Sequence, residues 1–428
     1  MWIKLGCALR ALSHGLGFIR AVSKRHPVVA SSAWLAVLGL GLFLCILQSE
    51  LLLLPTAWES IGRIIYRIPF LLVAPMRLLV LPFIPRVDYH WPLSHFAAAS
   101  FLTPFFWWGC YRLLRRCCPM RLPSYLNRMR YPAEPAMPRR DFLVRSAAGL
   151  TCVAATGAGG YASLIAPSRL KLREYEVSVP QLPVELDGLR LAHVSDTHYG
   201  PFTELTAILD MVREVNALEP DLVALTGDYV HFTPASVERG ILALGNFTSR
   251  FGAVAVLGNH EHWEGADACR RVFARISTLL LDNTRLFLSR DGFSRTPPAS
   301  PSVCLAGLGD LWEGVVSFDA ALGDVPQDVP RILLSHNPDA AEMTPPGLRV
   351  DLMLSGHTHG GQVYVPGLGA PCSGSRYGDK YLGGLCQGPS FPVIVSRGVG
   401  MAFLPVRVGV PPEIGIITLT RPASRSVS

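Results

Sequence analysis

The stretch that most constrains this chain is Ser355-Gly356-His357-Thr358-His359-Gly360-Gly361, which follows Asp351-Leu352-Met353-Leu354 and breaks that largely apolar run with glycine. Such a run, stopped by glycine, reads as a buried strand delivering side chains to a loop. Two imidazoles separated by one residue project to the same side of extended backbone, and the flanking glycines permit turns and close approach that a Cβ would block. The pair is either half of a metal site or two polar loop residues. Partners elsewhere in the chain decide between the two.

Those partners concentrate in one half of the sequence. Four histidines precede residue 170, whereas the other eight fall between His193 and His359. Charge divides the chain at the same place: residues 1–170 hold 19 Lys/Arg against 5 Asp/Glu, and residues 171–428 hold 20 against 27. Half of the 428 residues are hydrophobic and only 17% are charged, an unusual balance for a soluble protein. The net charge of +7 comes from a basic, apolar first part and an acidic second part. No nucleic-acid partner is expected of that acidic part.

Three intervals without Asp, Glu, Lys or Arg, at 26–49, 89–111 and 146–168, are each long enough to cross a hydrocarbon layer as a helix. The apolar stretch 61–85 is interrupted by Arg63, Arg67 and Arg77 with Pro69, Pro75 and Pro82, and reads as interfacial or re-entrant. Residues 1–135 are therefore expected to form a membrane region with spans near 26–49 and 89–111. Basic residues collect on the cytoplasmic side of such spans. Residues 1–25 carry five and no acid, and 112–145 carry nine Arg against Glu134 and Asp141, so both segments are expected inside. A third crossing within 136–168 then puts the rest of the chain on the outer side of a bacterial-type cytoplasmic membrane, periplasmic or extracellular. Arg139-Arg140-Asp141-Phe142-Leu143 ahead of it resembles a twin-arginine export signal, although a doubled arginine also fits an ordinary basic loop. A retained anchor is favoured because Ala166-Pro167-Ser168 is a poor cleavage site. Six of the ten cysteines lie in this first part; if the second part is exported, Cys372 and Cys386 offer a disulfide.

Residues 171–421 read as strands alternating with helices. Leu189–Ser195 is a strand ending in Asp196-Thr197-His198, followed by a helix capped by Thr203 with Leu205, Ile208, Leu209, Val212 and Val215 on one face. The strand 221–226 ends in Gly227-Asp228, and a helix near Val237–Leu244 leads to the strand Ala253–Leu257 and the turn Gly258-Asn259-His260-Glu261. A helix around Cys269–Leu279 follows, then strands at Ser302–Ala306, Ile332–Leu334 (ending at Ser335-His336) and Leu352–Leu354, with closing strands at Pro392–Ser396 and Ile414–Thr420. Residues 422–428 read as a disordered tail. In open sheets the carboxyl ends of strands face one crevice, so these polar groups can converge.

The ordered set Asp196-x-His198, Gly227-Asp228, Gly258-Asn259-His260-Glu261, His336 and Gly356-His357-Thr358-His359 resembles the calcineurin-like metallophosphoesterase superfamily over about residues 188–420. The ending Gly356-His357-Thr358-His359-Gly360-Gly361-Gln362, with a membrane region ahead of it, is similar to a membrane-attached branch related to exported envelope phosphoesterases and to UDP-2,3-diacylglucosamine pyrophosphatases. The resemblance implies an α/β fold, a four-layer αββα sandwich of two mixed sheets. It also implies two divalent ions (Mn, Fe or Zn), one held by Asp196, His198 and His359, the other by Asn259, His336 and His357, with Asp228 between them. The ions activate a shared water for attack on phosphorus, and His260 stands beside the leaving group. Two carboxylates against two dications leave surplus positive charge, which suits a phosphoester or pyrophosphate substrate, free or lipid-linked.

Glu261 is expected to orient a neighbour, and His231, His262 and Arg376 to line the pocket or grip phosphate; packing or loop roles fit them equally. His193 is expected to be a hydrogen-bonded core residue. Tyr229, Trp263 and Trp312 could touch a hydrophobic substrate. Besides a membrane-held phosphoesterase, the sequence leaves open a lipid A-type nucleotide-sugar pyrophosphatase and a non-catalytic metal-binding or signalling module.

Overall fold

Short apolar runs dictate the architecture. Leu222–Leu225 and Leu352–Ser355 are buried at every position, as strands covered on both faces must be. The computed structural model describes residues 161–422, except 201, 232–233, 371 and 403–405, together with a few isolated positions between 139 and 159. The stretches read as spans near 26–49 and 89–111, the 61–85 segment, most of 136–160 and the tail beyond 422 lie outside the described residues. Among the described residues, no helix is long and apolar enough to cross a membrane.

The first half of the described chain contributes β1 (Lys171–Ser178), β2 (Leu189–Val194), α1 (Leu205–Ala217), β3 (Leu222–Leu225), α2 (Ala235–Leu244), β4 (Ala253–Ala255), α3 (Asn259–Phe273) and β5 (Thr278–Leu280). The second half contributes β6 (Thr284–Ser289), β7 (Gly292–Ser294), β8 (Val303–Gly307), α4 (Phe318–Leu322), β9 (Arg331–Leu334), β10 (Leu352–Ser355), β11 (Gly384–Gln387), β12 (Pro392–Val395) and β13 (Glu413–Thr420). One sheet has the order β1-β13-β2-β3-β4-β5 and the other β11-β12-β10-β9-β8-β6-β7. Both are mixed. β2, β3, β4 and β5 run parallel, as do β8, β9, β10 and β12, while β13 is antiparallel to β2 and β6 to β8.

Side-chain alternation along these strands separates three cores. Ala192, Val194, Val223 and Leu225 face Ile208, Met211, Ile241 and Phe273 of α1–α3. Their neighbours Leu191, Leu222 and Ala224 pack between the sheets against Leu305, Ile332, Leu334, Leu352 and Leu354. Met353, Val393 and Val395 point the other way, toward Ala321 and Leu322 of α4. Helix, sheet, sheet and helix thus stack as four layers, and each fully buried Leu or Ile contributes roughly 1.5–3 kcal/mol.

Local readings need correction at two places. Thr203 does not cap α1: its backbone is engaged with Tyr199 and Gly200, and the N-cap is Glu204, which makes no side-chain cap bond. The helix expected at Cys269–Leu279 starts ten residues earlier, at Asn259, so the Gly258-Asn259-His260-Glu261 motif is a helix start rather than a free turn. Gly265 (φ 115°) kinks that helix and breaks its periodicity, and β5 takes the expected C-terminal end.

Candidate metal centre

Every parallel strand of the two sheets that precedes a polar motif ends on the same side, so the motifs meet. β2 delivers Asp196 and His198, β3 delivers Asp228, and β4 leads into Asn259 and His260 at the start of α3; β9 delivers His336, and β10 delivers His357 and His359. Asp196 (φ 54°), His198 (φ 44°), Asp228 (φ 56°), His357 (φ 70°) and His359 (φ 51°) all adopt left-handed backbone. For residues with a Cβ this costs about 1 kcal/mol or more each, and such strain is held only where the surrounding structure enforces it. Two glycines allow the approach: a Cβ on Gly258 would strike Asp228 Oδ1, and one on Gly356 would strike Ser195 Oγ and Asp196 Oδ2.

The groups form two clusters. His198 Nε2 lies 2.9 Å from His359 Nε2, and His359 Nε2 lies 3.2 Å from Asp196 Oδ1. His336 Nε2 lies 3.2 Å from Asp228 Oδ2, and His357 Nδ1 lies 3.1 Å from both His336 Nε2 and Asn259 Oδ1. Asp196–His198–His359 and Asp228–His336–His357 each bring their donor atoms within 4.8 Å of one another. Asp228 Oδ2 is also 3.6 Å from His198 Nε2, so this carboxylate lies between the clusters. The sheets are tied here too, since Asp196 accepts the His357 backbone N–H at 3.0 and 3.1 Å.

Protonation follows from burial. Desolvation drives the His198, His260 and His357 pKa values well below the usual imidazole range, and the neighbouring imidazoles His260 for His198, His231 for His260 and His336 for His357 lower them further. His336 is the exception: burial alone would lower its pKa, but the Asp228 and Asp196 charges outweigh it and lift it to about 10. Burial would raise the Asp196 carboxyl, yet the facing His359 holds it below its ordinary value. His336 Nδ1 donates to the Thr226 carbonyl at 2.7 Å, which leaves Nε2 facing the cluster. Imidazole nitrogens crowded against two carboxylates fit a divalent cation, which prefers such N/O sets, displaces the His336 proton and relieves the crowding.

Supporting groups surround this set. Glu261 accepts four backbone N–H groups, from Asp228 (2.8 Å), Tyr229 (2.7 Å), Val230 (3.3 Å) and Gly258 (2.9 Å), and so ties the β3 and β4 loops together. Burial and Asp228 push its pKa up to about 8. His260 N–H donates to Asp228 Oδ1 at 3.0 Å, and its Nδ1 lies 2.9 Å from His231 Nδ1. His198, His231 and His260 make a third convergent trio, which the sequence reading did not anticipate. His193 is buried and bonded to Thr226 Oγ1 at 2.9 Å.

Some candidates stand elsewhere. His262 is half-buried, with its Nε2 beside Gly314. Arg376 is exposed; its backbone N–H bonds Asp339 Oδ2 at 2.8 Å, on a loop whose Gly374 abuts Thr358 and His357. Tyr229 is not a substrate contact: it is fully buried, with its hydroxyl donating to Val256 O at 2.6 Å. Trp312 meets His357 edge-on at 4.1 Å, and Trp263 lies 4.6 Å from His260 and donates to Glu313 Oε1 at 2.9 Å. Cys386 forms no disulfide with Cys372; its thiol contacts the carbonyls of Gly383 and Gly384.

Two contributors were not singled out from the sequence. Asp310 is buried beyond β8, and its Oδ2 accepts the Trp312 and Glu313 N–H groups, which sets Trp312 over His357. Arg407 is wholly buried, and donates to the carbonyls of Arg397, Gly398, Gly400 and Val410, with Nη2 3.5 Å from His359 Nδ1. Burial lowers its pKa to about 10.

Residues 189–361 match the family model described as calcineurin-like phosphoesterase. The chain is 32% identical over 289 residues to the uncharacterized metallophosphoesterase YkuE of Bacillus subtilis, which covers 66% of this chain and 98% of that one. This chain belongs to the calcineurin-like metallophosphoesterases. It is therefore a hydrolase of phosphoester bonds, with His/Asp clusters suited to divalent metal. A second relative, phosphodiesterase YaeI of Escherichia coli, is 29% identical over 66% of this chain and 98% of its own. The bovine transmembrane protein with metallophosphoesterase domain is 31% identical over 56% of this chain, which spans about half of that relative (54%).

Proposed function

We propose that this metallophosphoesterase is a membrane-attached, binuclear phosphodiesterase. The observation that carries the reading is Asp228, whose carboxylate lies between two separate His/Asp clusters. Asp196, His198 and His359 would hold one ion and Asn259, His336 and His357 the other, with Asp228 shared. When bound, the ions supply Lewis acidity toward the phosphate oxygens and a water of lowered pKa.

The chain's own groups do the rest. Asp228 and Asp196 leave the centre cationic, which draws in an anionic diester. His260, kept neutral by burial, presents Nε2 on the Asp228 side and is oriented through Nδ1 by His231. In that state it stabilises the departing oxygen as an N–H donor. Trp312 packs against His357 and Trp263 against His260, which fixes the orientation of both rings. A diester preference is supported by the likeness to the E. coli phosphodiesterase, and membrane attachment by the three charge-free stretches and the bovine relative's name.

The test is the full chain in detergent, loaded in turn with Mn²⁺, Fe²⁺ or Zn²⁺ and offered bis(p-nitrophenyl) phosphate, p-nitrophenyl phosphate and UDP-2,3-diacylglucosamine. Diester turnover that a chelator abolishes and added metal restores is the expected result. Exclusive cleavage of the nucleotide sugar would shift the assignment to a pyrophosphatase. Metal uptake without turnover of any substrate would make it a non-catalytic module.

A further inference from the structure

After the last metal-cluster histidine the chain makes a small excursion that the hydrolytic site does not explain. Tyr364 N–H donates to Val408 O at 2.8 Å, Val365 and Gly369 exchange hydrogen bonds at 3.0 and 2.9 Å, and the turn Pro366-Gly367 closes the tip. These bonds, with Leu368 N–H to Val365 O at 3.0 Å, engage the Val365, Leu368 and Gly369 N–H groups and so lower the cost of taking the tip out of water. Its side chains face outward: Leu368 is 85% exposed, and Tyr364 and Val365 are 37% exposed each.

The tip stands close to where the chain enters the described unit. Ala162 O accepts the N–H of Arg407, the residue before Val408, so residues 162 and 364 flank the same short segment. Ala162 and Ala166 are buried against the unit, whereas Tyr161 (45%) and Ile165 (50%) point outward. These four residues end the charge-free stretch 146–168. Directly after it come the exposed cations Arg169, Lys171 and Arg173, the last with Nε 3.8 Å from Glu413 Oε2, and Lys171 N–H bonds Pro412 O. The acids of β1, Glu174 and Glu176, lie further along the strand. An apolar tip next to a basic edge is the chemistry of a surface seated in acyl chains below anionic headgroups.

We propose that the 364–368 tip, with Tyr161 and Ile165, is an interfacial docking surface whose occupant is the lipid bilayer. This rests on the membrane attachment proposed above and goes beyond it. Attachment needs only the N-terminal region, whereas docking fixes how the hydrolase domain lies. The loop that carries the tip returns through Gly374 to Thr358 and His357, so docking holds the metal clusters at a set distance from the headgroups.

The test uses the full chain in nanodiscs of phosphatidylethanolamine and phosphatidylglycerol, with Leu368→p-benzoylphenylalanine as a photo-crosslinker. The control is Arg290→p-benzoylphenylalanine, in the β6–β7 turn at the far edge of its sheet. The expected result is at least about fivefold more lipid adduct from position 368 than from 290, with both chains retained in the membrane after alkaline extraction. Equal adduct yields from membrane-retained chains, or crosslinks from 368 to protein instead of lipid, overturn the docking while leaving attachment standing. Release of the unmodified chain by alkaline extraction overturns both.

Discussion

The two sheets contribute differently to the proposed centre. The sheet built on β2, β3 and β4 supplies both carboxylates, Asp196 and Asp228, together with His198, Asn259 and His260. The sheet built on β9 and β10 supplies only imidazoles, His336, His357 and His359. Each cluster mixes the two sources, so negative charge comes from one sheet and part of the neutral ligand set from the other. Neither sheet makes a site alone, and a bound pair of ions would act as a cross-link between them.

Several changes would break or sharpen this contrast. Asp228→Ala removes the carboxylate that both clusters share. Diester hydrolysis should fall on the order of 10³-fold or more, with elemental analysis finding both ions lost; retention of two ions would remove Asp228 from the bridging position. His260→Ala should leave metal content intact and lower kcat about 10²- to 10⁴-fold. An unchanged kcat would end its assignment beside the leaving group.

Arg407→Met tests the support behind His359. It leaves several buried carbonyls without a donor, and urea unfolding should show a loss of about 3 kcal/mol. Replacing Arg213, which sits in an exposed pair with Asp210, should cost under about 0.5 kcal/mol. Glu261→Gln loosens the link between the β3 and β4 loops. Titration calorimetry should read metal affinity weakened about 10- to 100-fold, with the ligands themselves untouched.

A further effect concerns protons. Without metal, His336 carries a proton at neutral pH because its folded pKa is raised to about 10. Its contribution to stability is therefore complete below the unfolded imidazole value near 6.5 and is lost as pH rises through about 10. A cation must displace that proton, so metal binding should release it and tighten by up to about tenfold per pH unit over the same window. Calorimetry in buffers of different ionisation enthalpy checks this. His336→Gln should flatten the dependence.

How much could be read from the sequence depended on burial. Leu222–Leu225, Ile332–Leu334 and Leu352–Leu354 are covered on both faces, so their strands are continuous apolar runs. β1 was not picked out because Lys171-Leu172-Arg173-Glu174 is a largely exposed edge, and β7 and β11 are too short and polar to stand out. The start of α3 was hidden because Asn259-His260-Glu261-His262 serves the site rather than the core. The cluster residues were recognisable by one grammar, an apolar strand followed by glycine or a polar residue. Gly307-Leu308-Gly309-Asp310 after β8 follows that grammar too, so Asp310 had a signal. Arg407 had none, since a lone arginine among Val406, Val408 and Val410 does not announce that its guanidinium will be sealed under a loop.

The last strand has a consequence for biosynthesis. β13 pairs in parallel with β1 and antiparallel with β2, so it is a wedge between two strands translated more than 200 residues before it, the first two among the described residues. Until Glu413–Thr420 has cleared the ribosome, the flank of β2 lies open along Leu189–Val194, an apolar template for pairing with other chains. A message stopped before Glu413 would therefore yield a sticky product with every cluster residue present and no strand between β1 and β2.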